Sequence, residues 1–361
     1  MWVLDGLVNA ARMAWEVWWA LILGFALSAV VQSLVPRSRI ESALGGRGVR
    51  EVSLATALGA ASSSCSYAAI AIARSLFAKG ASLVSAMAFQ FASTNLVFEL
   101  GLVTWLFLGW QFTLAEFVGG IVLILVMWVA LLVLVSPRDE AEVRAHAEAA
   151  EAGHLHSAAS NVAVNFRSDI EMLWKELVGG FLIAGYVSLL PKGFFNALFL
   201  THSWRPLRVV ENAIVGPLVA ALSFVCSIGN IPLAAVLWSG GISFGGVIAF
   251  IFADLIILPI VNAYRKYYGA RFATLLTAVM FGAMVVAALA VDGLFSLLGL
   301  VPAHRPSIQS VAERQVTWNY TSVLDILFAV VFVALMAIAL RQGDRHAHHD
   351  HHGAGHHEAH T

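Results

Sequence analysis

Ala60-Ala61-Ser62-Ser63-Ser64-Cys65-Ser66 and Cys226-Ser227-Ile228-Gly229-Asn230-Ile231-Pro232 hold the only two cysteines of a 361-residue chain. Laying Cys65 on Cys226, a shift of 161 residues, puts Ser66 on Ser227, Ile70 on Ile231 and Leu76 on Leu237 without a gap. Gly80 then meets Gly241, Ser82 meets Ser243, and Ala88, Phe89, Phe91 and Ala92 meet Ala249, Phe250, Phe252 and Ala253. Matching alanines and leucines are common by chance. A pair of cysteines, each followed by serine and by a glycine 15 residues on, is not. Self-similarity at a fixed offset marks a duplicated architecture.

The composition says what is duplicated. Hydrophobic residues make up 60% of the chain and charged residues only 12%, about half the share of a soluble domain. Uncharged runs such as Phe117 to Val135, Phe272 to Ala290 and Ile326 to Leu340 approach the ~20 residues that cross a bilayer core. The first copy reads as four apolar segments, Trp15–Val35, Val52–Ala78, Leu83–Trp110 and Phe112–Val135. The second reads as Leu177–Leu190, Ala213–Trp238, Phe244–Tyr264 and Phe272–Leu294, and Ser322–Leu340 comes after them as a ninth. Trp15 to Val35 reads as a first span that stays in the protein rather than a cleaved leader. The divisions expected are 1–136 for the first membrane repeat, 137–170 for a polar loop, 171–298 for the second repeat, 299–341 for a loop and final span, and 342–361 for a His-rich tail. The fold class is an all-α, polytopic helical membrane protein with two internal repeats.

The second segment of each copy is unusual. Serines crowd the middle of one, and Gly229, Asn230 and Pro232 interrupt the other. Serine competes for helical hydrogen bonds and proline removes one. Backbone breaks at membrane depth are tolerated where they are buried or line a cavity. Paired breaks in matching positions of two halves point to a transporter's binding site, although close packing of small residues uses the same residue types. Positive charges orient the rest. If the Cys-Ser segments re-enter and return to their own side, one side holds all but six of the 21 Lys and Arg residues, the six being Arg12, Lys192, Arg205, Arg208, Arg305 and Arg314. That asymmetry favours re-entrant hairpins, inverted repeats, and a cytoplasmic polar loop and tail. Arg74 and Lys79 read as surface anchors.

The breaks supply the candidate site residues. Cys65 and Cys226 are soft ligands suited to soft metals or trivalent metalloids, and a buried cysteine also serves as a small apolar side chain. Ser64, Ser66, Ser227 and Asn230 offer hydroxyl and amide contacts to a polar solute. Asp254 and Glu99 are candidates for proton coupling, because intramembrane acids are usually functional and a carboxyl deprived of water favours its neutral form; Asn262 and Glu211 are weaker ones. In the tail, His346, His348, His349, His351 and His352 are candidate metal ligands. With a net charge of -1 there is no case for nucleic acid. No His-Glu-x-x-His, paired catalytic Asp or nucleotide loop occurs, so neither an enzyme nor a cofactor is expected. The partners expected are a small-molecule substrate and the lipid bilayer.

Cys226-Ser227-x3-Ile231-Pro232-Leu233, closing at Gly240-Gly241, with Cys65-Ser66-x3-Ile70 closing at Gly80, resembles the ArsP-type predicted permeases, a family that includes organoarsenical exporters. The likeness runs from about Leu21 to Leu294. It implies efflux of trivalent methylated or aromatic arsenicals from a bacterial cytoplasmic (inner) membrane, with proton antiport as an energy source. Tyr67 and Ala71 stand where the family's first motif often has a further Cys and a Pro, so a different substrate stays open. The alternative is a transition-metal cation transporter whose His-rich tail buffers or senses the metal.

Overall fold

The computed structural model describes residues 2–16, 18–34, 37–62, 66–152, 162–187, 189, 199–200, 204–223, 227–303, 305 and 320–353. Every regular element among them is helical. The first eight helices are α1 (Trp2–Glu16), α2 (Trp18–Leu34), α3 (Arg37–Leu44), α4 (Val49–Ser62), α5 (Ser66–Ala78), α6 (Leu83–Asn95), α7 (Phe98–Leu108) and α8 (Trp110–Leu134). Two helices, α9 (Pro137–Ala152) and α10 (Val162–Val187), occupy the polar stretch and the start of the second half. Then come α11 (Arg205–Ser223), α12 (Ser227–Ser239), α13 (Phe244–Ile251) with a 3-10 turn at Phe252–Leu255, α14 (Leu258–Tyr268), α15 (Ala270–Leu297) and α16 (Tyr320–Gly353).

Four helical stretches are long and apolar enough to cross a membrane: Trp110–Leu134, Arg205–Ser223, Ala270–Leu297 and Val323–Leu340. The number rises to six if each of two bent helix pairs counts as one span. α8 shows why such helices need lipid. Gly119, Gly120, Leu123, Met127 and Leu131 face the protein, while Ile121, Leu125, Val129 and Val133 are exposed on the other side. An apolar face of that length has no favourable partner in water.

The turn between α5 and α6 is built from its sequence. Gly80 takes φ +103°, a conformation natural to glycine, and the Ala81 amide donates back to the Leu76 carbonyl at 3.0 Å. Ser82 then caps α6 by accepting from the Ser85 amide. Between α12 and α13, Gly241 takes φ +106°, the Ile242 amide donates to Leu237 O at 3.3 Å, and Ser243 caps by accepting from Gly246 N. An arginine clamps each turn. The Arg144 guanidinium lies 4.3 Å from the Phe77 ring centroid and donates to the Phe77 and Ala81 carbonyls. Arg305 lies 3.8 Å from the Trp238 centroid and donates to the Trp238 and Ile242 carbonyls. α9, which carries Arg144, starts with a reciprocal cap. Asp139 N donates to Ser136 Oγ at 3.2 Å and Ser136 N to Asp139 Oδ2 at 3.1 Å. The Ser136 hydroxyl and amide together hold the Asp139 carboxyl below its usual range.

Several expectations change. The third and seventh segments, read as continuous, are bent by 43° and 44° between α6 and α7 and between α13 and α14. At the first bend Ser93, Thr94 and Asn95 all turn their side chains back onto Gln90 or Phe91 carbonyls, competing with the helical ladder. At the second, Ile257 is extended (φ −64°, ψ 148°) and Pro259 opens the next helix. Upstream of the expected first span lies an additional helix, α1, packed against α10. Arg74 is not a surface anchor. It is 2% exposed, donates to Asp169 Oδ1 at 2.8 Å and lies 4.9 Å from the Tyr267 centroid, while Ser28 Oγ donates to Asp169 Oδ2 at 2.7 Å. An acid on α10 thus supplies the counter-charge that lets an arginine on α5 stay inside.

Breaking a buried ion pair from one side leaves an uncompensated charge. Arg74→Met is therefore expected to destabilise the protein by about 3–5 kcal/mol, and Arg74→Met with Asp169→Leu to recover most of that loss. Thermal unfolding of the purified protein in detergent checks both.

Candidate functional site

The described parts of α4 and α11 end at Ser62 and Ser223, and those of α5 and α12 begin at Ser66 and Ser227. Ser63, Ser64, Cys65 and Cys226 lie outside the described residues. Ser66 and Ser227 meet. Their hydroxyl oxygens are 3.2 Å apart, and both donate to the same atom, Asp254 Oδ2, Ser66 at 2.7 Å and Ser227 at a very short approach. Asp254 belongs to the 3-10 turn that ends the α13 segment, and it has no accessible surface. The amides of Asp254 and Leu255 also lie against its carboxylate.

Two hydroxyls from widely separated parts of the chain thus converge on one carboxylate. Among the described residues no ion pair is formed by Asp254. The described contacts that stabilise it include two serine hydroxyls, groups that can be handed to another ligand without leaving a buried cation behind.

Around this centre the interior is polar. Asn230, on α12 one turn past Ser227, is fully buried, and neither amide atom has a partner among the described residues. Gln90 Nε2 donates to Tyr264 Oη at 2.5 Å, and Tyr264 donates on to the Leu255 carbonyl at 3.2 Å, tying α6 and α14 to the turn that carries Asp254. Ser66, Ser227, Asn230 and Asp254, all candidates on sequence grounds, are thus buried on neighbouring elements, and three of them touch. Glu99 does not join the described contacts. It lies on α7, and its side chain is outside the described residues. Asn262 is exposed, and Glu211 serves the Leu200 amide at 3.1 Å. The backbone of α16 continues to Gly353 through the tail histidines, whose side chains are outside the described residues. Among the described residues no three His, Cys, Asp or Glu side chains are grouped to hold a metal.

One residue escaped the sequence reading. Glu116 on α8 is completely buried, and neither carboxylate oxygen makes a well-formed hydrogen bond among the described residues. A single acid within an apolar span was the available signal. A cleft of about 600 Å³ lies apart from this cluster, lined by α9 and by the joint between α14 and α15.

Comparison with known proteins agrees with a membrane carrier. Residues 7–293 match the model of the ArsP_1 family, described as "Predicted permease". The Mycobacterium tuberculosis protein named "Putative permease Rv2963" is 46% identical over 335 residues, covering 86% of this chain and 81% of that one. No solved structure matches the chain.

The three-way contact predicts non-additivity. Ser66→Ala and Ser227→Ala each remove one donor from the same oxygen, so a double-mutant cycle on thermal stability is expected to show a coupling of about 0.5–3 kcal/mol. Additive losses would mean the hydroxyls act separately.

Proposed function

The chain belongs to the ArsP_1 family of predicted permeases, and from that membership we propose that it exports small soft-metalloid compounds such as trivalent organoarsenicals, by proton antiport, across a bacterial inner membrane. A membrane permease with a small-molecule substrate is what the family establishes; the substrate, direction and coupling are our reading. The observation that carries it is the meeting of Ser66, Ser227 and Asp254 inside the bundle. Each serine is covalently next to a cysteine, so each thiol is one residue from the serines that meet. A trivalent arsenic centre is thiophilic. The serine hydroxyls and Asn230 suit the polar oxygens of such a solute, and Asp254 suits the exchanged proton.

We further propose that the architecture is two inverted copies of one unit, each with a Cys-Ser segment that breaks or re-enters. Supporting this, α5 and α12 end at residues 161 apart. Arg144 and Arg305 are also 161 apart, and so are the carbonyl pairs they bind, Phe77 and Ala81 against Trp238 and Ile242. The two bent pairs differ by only one degree. Under this plan the α9 stretch and the tail are cytoplasmic. The transition-metal alternative rests on the tail histidines, and deleting the chain after Arg345 separates the two readings.

The test uses everted membrane vesicles supplied with methylarsenite. Wild-type protein is expected to accumulate arsenic in a way that a protonophore abolishes. Cys65→Ala, Cys226→Ala and Asp254→Asn are each expected to fall to the level of empty vesicles. Equal accumulation by the wild type and both cysteine variants would remove the thiol site, and accumulation unaffected by the protonophore would remove antiport.

A further inference from the structure

We propose that Glu116 is a second proton-binding group of the transport site, working as a pair with Asp254. The inference deepens the antiport reading above and rests on it for its purpose, but not for its physical basis.

Glu116 is the only ionisable residue on the 25-residue α8. One turn further along, the α8 backbone comes close to both bends. A Cβ added at Gly119 would stand 2.7 Å from the Phe252 ring, two residues from Asp254, and one at Gly120 would stand 2.6 Å from Leu96. The backbone one turn past Glu116 is therefore packed against the segment that carries Asp254, which places the two acids in the same part of the interior.

Other charges do not relieve this. Of the helices packed on α8, α6 and α13 carry no ionisable side chain, and α7 carries Glu99 at its start. α15 carries Arg271 in its first turn, beside the α9 cleft, and Asp292, whose Oδ1 accepts from the Gly245 amide at 2.9 Å. Among the described residues Glu116 forms no ion pair and accepts no well-formed hydrogen bond. An isolated carboxylate is strongly disfavoured in such surroundings, and the group neutralises instead. Two neighbouring carboxylates without a cation face the further cost of like-charge repulsion. The pair thus keeps at least one proton. When Asp254 releases its proton and draws on Ser66 and Ser227, Glu116 holds one.

Infrared difference spectroscopy of the purified protein tests this without any substrate. The wild type is expected to show a protonated-carboxyl stretch at neutral pH, from which Glu116→Gln removes one component and in which Asp254→Asn shifts that component. An unchanged band in Glu116→Gln overturns the proposal. So does loss of the component when sodium is added at fixed pH, which would make Glu116 a cation ligand. Should Glu116→Gln not fold, isotope-labelled glutamate in the wild type decides the matter equally well, since the band must move with the label. Failure of methylarsenite transport with the Glu116 band present would sink the substrate and leave the proton pair standing.

Discussion

A charged or polar group taken out of water must find its partners inside the protein, and in a membrane the penalty for failing applies along the whole span. Among the described residues Asp254 meets that condition without a cation. Serines from two helices, α5 and α12, reach its carboxylate. The arrangement dictates much else. Ser66 and Ser227 have to lie at the same depth, the α13 segment has to stop short as a tight turn, and Tyr264 with Gln90 has to brace that turn from the other side. Binding energy invested in hydroxyls is transferable to a solute in a way that a buried salt bridge is not.

The contrast lies at the other end of α5. Arg74, two turns beyond Ser66, is locked to Asp169 and braced by Ser28 and Tyr267. That contact joins α5 to α10 and α2. The residue 161 positions later is Ala235, which has no charge to pair. One helix of the central pair thus carries a buried ion pair at the position where the other carries an alanine.

Three residues of the candidate cluster were legible. Twin Cys-Ser pairs at one offset named Ser66 and Ser227, and an acid deep in an apolar segment named Asp254. What stayed hidden depends on contacts across the chain. Arg74 looked like an interfacial anchor because nothing near it in sequence reveals Asp169, 95 residues away. The bends after Asn95 and Leu255 were passed over because Leu, Val and Ile flank them and keep the hydropathy continuous. They arise from Ser-Thr-Asn side chains bonding backward and from Pro259. Glu116 was overlooked for the opposite reason: it is one letter in a long apolar run, and only packing reveals that it has no counter-charge.

Gly109 ends α7 and, as the same residue, begins α8; Gly269 does the same for α14 and α15. Both take positive φ, +98° and +83°. A joint one residue long has no slack. The direction in which each long helix leaves its bent segment is therefore set by the backbone of a single glycine, and for α8 that direction also sets where Glu116 lies.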